Sequence, residues 1–284
     1  MLVTLEDYKG LTPAWCPGCG NFGILSAVKK ALVDLDIDPH EVLLVSGIGQ
    51  AGKLPHYLKG NVFNSLHGRP IPPAIGAKLA NKNLTVIAVS GDGDGYGEGG
   101  NHLVHAARRN HDITYLVHNN QIYGLTKGQT SPTSDIGFVT KTTPQGAPPP
   151  INPIILSIAA GATFVARAFA GDTDYLSSII KQGIKHHGFA VVDILQPCVS
   201  FNHRNTYQWY RERVYKLEED AYNPSDKLNA FQKAQEWGNR IPIGVFYIED
   251  RPIYEDGFSI LEKDTLVSQP IEPLKTEALF TEFF

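Results

Sequence analysis

The chain has 284 residues, 42% of them hydrophobic and 19% charged, with a formal net charge of -4 at pH 7. That length supports a sizeable core in one large or two smaller domains, and the charge leaves no basic surface for the phosphates of a nucleic acid. No lysine or arginine run suggests an anionic membrane, and no apolar run approaches the ~18 residues that cross a bilayer. The opening stretch after Met1, "LVTLEDYKG", has neither a basic nor an apolar signal region, so a cytoplasmic protein is expected. In a reducing compartment its three cysteines are expected as thiolates, ligands or core residues rather than a disulfide framework.

The first feature in chain order is "WCPGCGNFG", with Cys16 and Cys19 in a C-x-x-C pair. Such a pair can bind zinc, exchange with disulfides or hold part of an iron–sulfur cluster. A helical pattern over "FGILSAVKKALVDL" precedes the buried-strand pattern "EVLLVSG". The alternation then repeats: "PPAIGAKLANK" reads as helix, "LTVIAVSGDG" as strand, "GGNHLVHAARRN" as helix and "ITYLVHNN" as strand. His102, His105 and His111 fall on that predicted helix and are read as packing or solvent contacts, since no ligand set accompanies them.

"TKTTPQGAPPPINP" predicts an ordered surface loop or lid. "PIILSIAAGA", "TFVARAF", "DYLSSIIKQGIKHH" and "FAVVDILQP" continue the helix–strand alternation up to Cys198. Continuously apolar strands between helices imply a doubly wound, mostly parallel α/β sheet with helices on both faces. Residues 1–200 are expected to form this domain, with residues 201–284 as a C-terminal extension packed on it or on a partner. Ligands should sit beyond the C-terminal strand ends, in the loops after Val45, Val89 and Val117.

Two of those loops carry a matched pair. Gly91-Asp92-Gly93 ends one predicted strand, and Asn119-Asn120 follows after 25 residues at the end of the next. A lone G-D-G is a common turn, but here a carboxylate and an amide oxygen meet at one rim of the sheet, as magnesium requires. Glycines beside the aspartate let the main chain approach a diphosphate. The spacing resembles the thiamine diphosphate motif, with Ile122 at its backbone-carbonyl ligand.

"CPGCGNFGIL", "VSGIGQAGKLPHY", "LHGRPIPPAIGAKLA", "GDGDGYGEGGNHLVHAARRN", "NNQIYGLTKGQTSPT", "QPCVSFN" and "IPIGVFY" follow in order. Together they resemble the β subunit of 2-oxoacid:ferredoxin oxidoreductases, most closely the 2-oxoglutarate branch. The resemblance implies oxidative decarboxylation of a 2-oxoacid with coenzyme A, giving acyl-CoA, CO2 and reduced ferredoxin. It assigns magnesium to Asp92, Asn120 and Ile122. It assigns thiamine diphosphate to Gly91, Gly93, Tyr123, Gly124, Leu125 and Thr126, with His67 and Gly68 nearby. Lys53 would face the 2-oxoacid, while Leu125 and Lys127 would shape substrate choice.

Cys16, Cys19 and Cys198 match three of the family's four cluster cysteines, and Gln50 stands at the fourth position. A four-iron cluster with an altered fourth site is therefore expected, since an amide is a poor ligand for a thiolate-preferring cluster. Activating the cofactor takes a carboxylate beside its aminopyrimidine. Upstream of Asp92 the only glutamates are Glu6 and Glu41, so a partner α subunit is expected to supply it, in an αβ or (αβ)2 assembly. A thiamine decarboxylase or synthase subunit without redox centres and a zinc-bearing structural module remain the alternatives.

Overall fold

In the computed structural model, which describes residues 2–270 and 280–281, the chain's apolar runs form β1 (Val42–Ser46), β2 (Asn61–Asn64), β3 (Thr85–Gly91) and β4 (Thr114–Asn119). A short ribbon, β5 (Ile122–Tyr123) and β6 (Gln129–Thr130), follows β4; β7 (Phe164–Phe169), β8 (Ala190–Leu195), β9 (Val214–Lys216) and β10 (Ile241–Ile248) come later. The helices are α1 (Asn21–Asp34), α2 (Ile71–Ala80), α3 (Gly100–Arg109), α4 (Pro153–Ala160) and α5 (Thr173–Lys185). Shorter ones follow: α6 (Tyr207–Arg211), α7 (Lys227–Ala234) and α8 (Ile260–Lys263).

Eight strands make one sheet in the order β2-β1-β3-β4-β8-β7-β10-β9. All neighbours are parallel except β10 against β7. Alternate residues of each strand feed opposite layers, because side chains along a strand alternate in direction. Ile87, Val89 and Leu116 pack with Ile24, Val28, Ile179 and Ile180 of α1 and α5. Val86, Ala88, Tyr115 and Val117 pack with Ile71, Leu103, Ile154 and Ile158 of α2, α3 and α4. Burying each such Leu, Ile or Val stabilises the fold by roughly 1.5–3 kcal/mol.

Helix starts are set locally. The Asn152 side chain accepts from the Ile155 N–H to begin α4, with Pro153 in its first turn. Asp172 and Asp226 cap α5 and α7 in the same way, by accepting from the N–H groups of Tyr175 and Asn229.

Two expectations change on contact with the structure, and a third, the ordered proline-rich loop, does not. Beyond residue 200 the chain does more than lie on the domain, since β9 and β10 extend the sheet and Ile241, Ile243 and Phe246 are buried. Much of the expected apolar end lies outside the described residues. His111 falls after α3, where its Nδ1 pairs with Glu255 Oε1 at 2.9 Å. The proline-rich loop has no regular element between Thr140 and Asn152. It is held by main-chain bonds from Gly137 to Ala147, Ala147 to Phe138 and Ile151 to Pro132. Among the described residues, no helix is long and apolar enough to cross a membrane.

A buried polar cluster lies between the sheet and its helices. Asp193 of β8, wholly inaccessible, accepts from Arg167 Nε at 3.1 Å, Asn119 Nδ2 at 2.9 Å and the Tyr96 hydroxyl at 3.1 Å. The Arg167 guanidinium also faces the rings of Trp237 and Phe246. Removing one partner strands the other charge out of water, which costs far more than the pair contributes. Asp193→Asn should lower stability by about 3–5 kcal/mol, read from the urea midpoint. A loss below about 1 kcal/mol would show that Arg167 finds another counter-charge.

Candidate active site and cysteine cavity

A cavity of 140 Å3 opens where β1, β3 and β4 end, as expected at the carboxyl ends of parallel strands. Its wall includes Gln50, His67, Gly91, Asp92, Gly93, Asn120, Ile122, Tyr123, Gly124, Leu125 and Thr126. β3 runs buried to Ser90 and then turns through a wide π-type turn, Gly93–Glu98, a geometry frequent at functional sites. Gly93 is obligatory there, since an added Cβ would lie 2.2 Å from the Tyr123 ring. Gly68 has φ +72° and no room for a side chain against Glu98, so its N–H reaches Asp94 Oδ1 at 2.7 Å.

Asp92 is 2% exposed, and its Oδ2 accepts from the Ser131 hydroxyl at 2.5 Å and the Thr133 hydroxyl at 2.7 Å. Burial pushes its carboxyl up to about 6, opposed by those hydroxyls and by the main-chain N–H groups of Asp92 and Gly93. Asn119 and Asn120 separate in role. Asn119 turns inward to Asp193 and Thr133, while Asn120 lines the cavity and its Oδ1 accepts from the Ile122 N–H at 3.1 Å. Gln121 between them has φ +59°, a strained backbone that folds Asn120 and Ile122 onto one wall. Its amide is anchored to the Thr133 carbonyl, Asp135 and the Tyr210 hydroxyl.

Asp94, Ser131, Thr133 and Gln121 escape the sequence reading. Asp94 stands in the quoted "GDGDG", and its carboxylate gathers the N–H groups of Ile48 and Gly68, the Ser90 hydroxyl and His67 Nδ1. It thereby binds the loops after β1, β2 and β3 together. Only this four-way convergence in space marks it.

The expected substrate residues divide. Leu125 borders the cavity. Lys53, half-buried on the 3-10 turn Ala51–Tyr57, lies outside the lining, as does the exposed Lys127, whose φ is +77°. The turn that brings Gln50 and Ala51 to the cavity carries Lys53 beyond it. Glu6 and Glu41 are also absent from the lining; Glu6 pairs with Lys9, and Glu41 caps the turn at the opposite end of β1.

Beside this cavity is a second, of 60 Å3, lined by Cys16, Cys19, Cys198, Gln50, Trp15 and Gln196 among others. Residues far apart in sequence thus meet at one place. The Cys19 N–H closes a turn on the Cys16 carbonyl at 3.0 Å, and Trp15 Nε1 donates to the Gln50 carbonyl at 2.9 Å. All three cysteines are free; Cys16 is exposed, Cys19 and Cys198 buried, and burial pushes the Cys19 thiol up to about 11. Among the described residues, no three His, Cys, Asp or Glu side chains converge on a single-ion site. The two cavities share Gln50, Asn120 and Gly124.

Residues 46–194 match the model of the thiamine pyrophosphate enzyme C-terminal TPP-binding domain, so the fold and site are those of a thiamine diphosphate enzyme. Residues 198–263 match the model of the C-terminal part of the pyruvate ferredoxin oxidoreductase beta subunit. The chain is 51% identical over 246 residues to the 2-oxoacid:ferredoxin oxidoreductase subunit beta of Saccharolobus solfataricus, covering 82% of this chain and 81% of that one. It is 38% identical over 240 residues to the 2-oxoglutarate synthase subunit KorB of Methanothermobacter marburgensis, covering 84% of each. A solved 2-oxoglutarate:ferredoxin oxidoreductase from Magnetococcus marinus, with 2-oxoglutarate, coenzyme A and succinyl-CoA bound, aligns at TM-score 0.90 and 37% identity. That alignment covers 98% of this chain and 96% of the other. The chain belongs to the β subunits of the 2-oxoacid:ferredoxin oxidoreductases.

A buried carboxylate raised to about 6 from 3.8 favours the metal-free fold while protonated; this contribution is lost as pH rises through 6. Above that pH the ionised Asp92 opposes folding unless a cation joins it. Asp92→Asn should therefore stabilise the metal-free chain at pH 8 by about 1–3 kcal/mol while weakening thiamine diphosphate binding with magnesium by ~100-fold or more. Calorimetry and urea unfolding read both effects. Unchanged cofactor affinity would remove Asp92 from the site.

Proposed function

We propose that this chain, with an α subunit, oxidatively decarboxylates a 2-oxoacid, of which 2-oxoglutarate is the leading candidate, with coenzyme A as acyl acceptor. One 2-oxoacid anion and one coenzyme A thiol give one acyl-CoA, one CO2 and one proton, and two electrons leave singly to two ferredoxins. The observation that carries this reading is the wall shared between the strand-end cavity and the cysteine cavity, because it sets an oxidation site against an electron outlet. A thiamine enzyme without redox centres gives Cys16, Cys19 and Cys198 no common task.

Thiamine diphosphate, when bound, supplies the electron sink for decarboxylation. On this reading Asp92, Asn120 and the Ile122 carbonyl hold Mg2+, whose hard oxygen preference suits a carboxylate, an amide and a carbonyl. Gly91, Gly93 and the stretch from Tyr123 to Thr126 take the diphosphate, with His67 and Gly68 fixed beside it through Asp94. Cys16, Cys19 and Cys198 hold an iron–sulfur cluster, read as four-iron with Gln50 at the fourth corner. Leu125 meets the substrate directly. Lys53 and Lys127 act from outside the present lining, where their charge favours a carboxylate or dicarboxylate.

The α subunit supplies the activating glutamate and covers the open cavity. Apart from β9 and β10, which join the sheet, residues 201–284 are read as an extension that packs on the domain or on that partner. We assign the enzyme to the cytoplasm as an αβ or (αβ)2 assembly.

Turnover of 2-oxoglutarate should require both chains: this chain alone, given thiamine diphosphate and magnesium, should stay at background. Steady oxidation by the isolated chain would overturn the partner glutamate. In the two-chain enzyme, Lys53→Ala should lower kcat/KM for the 2-oxoacid ~100-fold with thiamine diphosphate affinity kept. Loss of the cofactor together with activity would give Lys53 another role. Iron and sulfide analysis after anaerobic assembly tests the cluster, and their absence would end the electron-transfer role of the cysteines.

A further inference from the structure

Gln196 stands where β8 has just ended, two residues before Cys198, and it is 2% exposed. Its main-chain N–H donates to the Asn119 carbonyl at 2.9 Å, which continues the ladder between β4 and β8 and leaves the residue little freedom. The side chain turns into the cysteine cavity, and its Nε2 donates to Cys19 Sγ at 3.3 Å. Gly20 makes this approach possible, since a Cβ there would lie 2.7 Å from Gln196 Cγ. Nothing in the cofactor cavity uses this amide.

The three sulfurs have unequal surroundings. Cys16 is exposed, so water can stabilise charge on it. Cys19 is buried, and its sulfur depends on a protein donor, the Gln196 amide. An N–H donor to a ligand sulfur stabilises the more negative, reduced state of an iron–sulfur cluster and so raises its reduction potential.

We propose that Gln196 is a positioning and tuning residue whose amide, by donating to Cys19 Sγ, raises the reduction potential of the cluster held by Cys16, Cys19 and Cys198; this rests on the cluster reading above. Its role differs from that of Gln50. Gln50 stands at the corner where a thiolate is missing, whereas Gln196 acts on a thiolate that is present. The side chain forms no bond to iron and gives up no proton.

The test is a potentiometric titration of the full chain after anaerobic cluster assembly, followed by electron paramagnetic resonance, for the unsubstituted protein, Gln196→Leu and Gln196→Met. Both replacements keep much of the volume and remove the N–H donor. With iron and sulfide content retained, both midpoints should move to more negative potential. Midpoints unchanged in both variants would overturn the proposal. So would loss of the cluster from both variants, which would make the amide a prop of the cavity. Iron and sulfide missing from the unsubstituted chain would overturn the cluster reading itself, and that result is distinct from either of the others.

Discussion

A carboxylate kept out of water just past the end of β3 constrains everything around it. Asp92 has no solvent to share its charge, so hydroxyls must approach it, and Ser131 and Thr133 do so from a segment 39 and 41 residues away. Thr133 also reaches Asn119, Asn119 reaches Asp193, and Asp193 takes Arg167 and Tyr96. The chain of contacts runs across β3, β4, β8 and β7 beneath the cavity floor. Buried polar networks rigidify as their members are satisfied, and in this one Arg167 Nη1 is left buried without a hydrogen-bond partner among the described residues. The site is thus held by the middle of the sheet rather than by its surface loops. A cation joining Asp92 would complete a network already in place.

The same strand ends explain why two chemistries can lie side by side. Asn119 ends β4 with Asn120 just beyond it, and Leu195 ends β8 alongside, followed by Gln196 and Cys198. Parallel neighbours finish at the same rim, so whatever follows β4 must meet whatever follows β8. The loop after β1 adds Gln50 to both, and Gly124 leaves room between Gln50 and Cys198, whose nearest atoms stand 4.0 Å from the position of an added Cβ. On the proposed reading, strand order alone sets the cofactor cavity beside the cysteines, and so makes the electron path between them short.

Much of this was legible in the amino-acid pattern, for identifiable reasons. β3, β4, β7 and β8 are covered on both faces and read as mainly apolar runs in spite of His118, Arg167 and Asp193. β2 lies at the sheet edge with all four residues exposed, so "NVFN" carries no such run. β10 contains Pro242 and Gly244, and Gly244 has φ +125° beside an irregular register with β7, features that resemble a tail more than a strand. Asp92 and Asn120 stood out because the oxygen preference of magnesium suggests both residue types at that spacing, and the fold places both on the strand-end cavity. Asp94, Ser131, Thr133 and Gln196 act through partners brought together only by folding, and their own neighbours in sequence give no sign of it. Lys53 shows the opposite case. Its match to a family position places it near the site, while the 3-10 turn holds it outside the lining.

The central claim is that oxidation at the strand-end cavity delivers electrons directly to a centre held by Cys16, Cys19 and Cys198. The direct measurement mixes anaerobic two-chain enzyme, carrying thiamine diphosphate, magnesium and the assembled cluster, with 2-oxoglutarate and no ferredoxin. The absorbance and electron paramagnetic resonance of the cluster are followed while released CO2 is counted. The account predicts that the cluster becomes reduced as CO2 appears. CO2 release with the cluster remaining oxidised would contradict it.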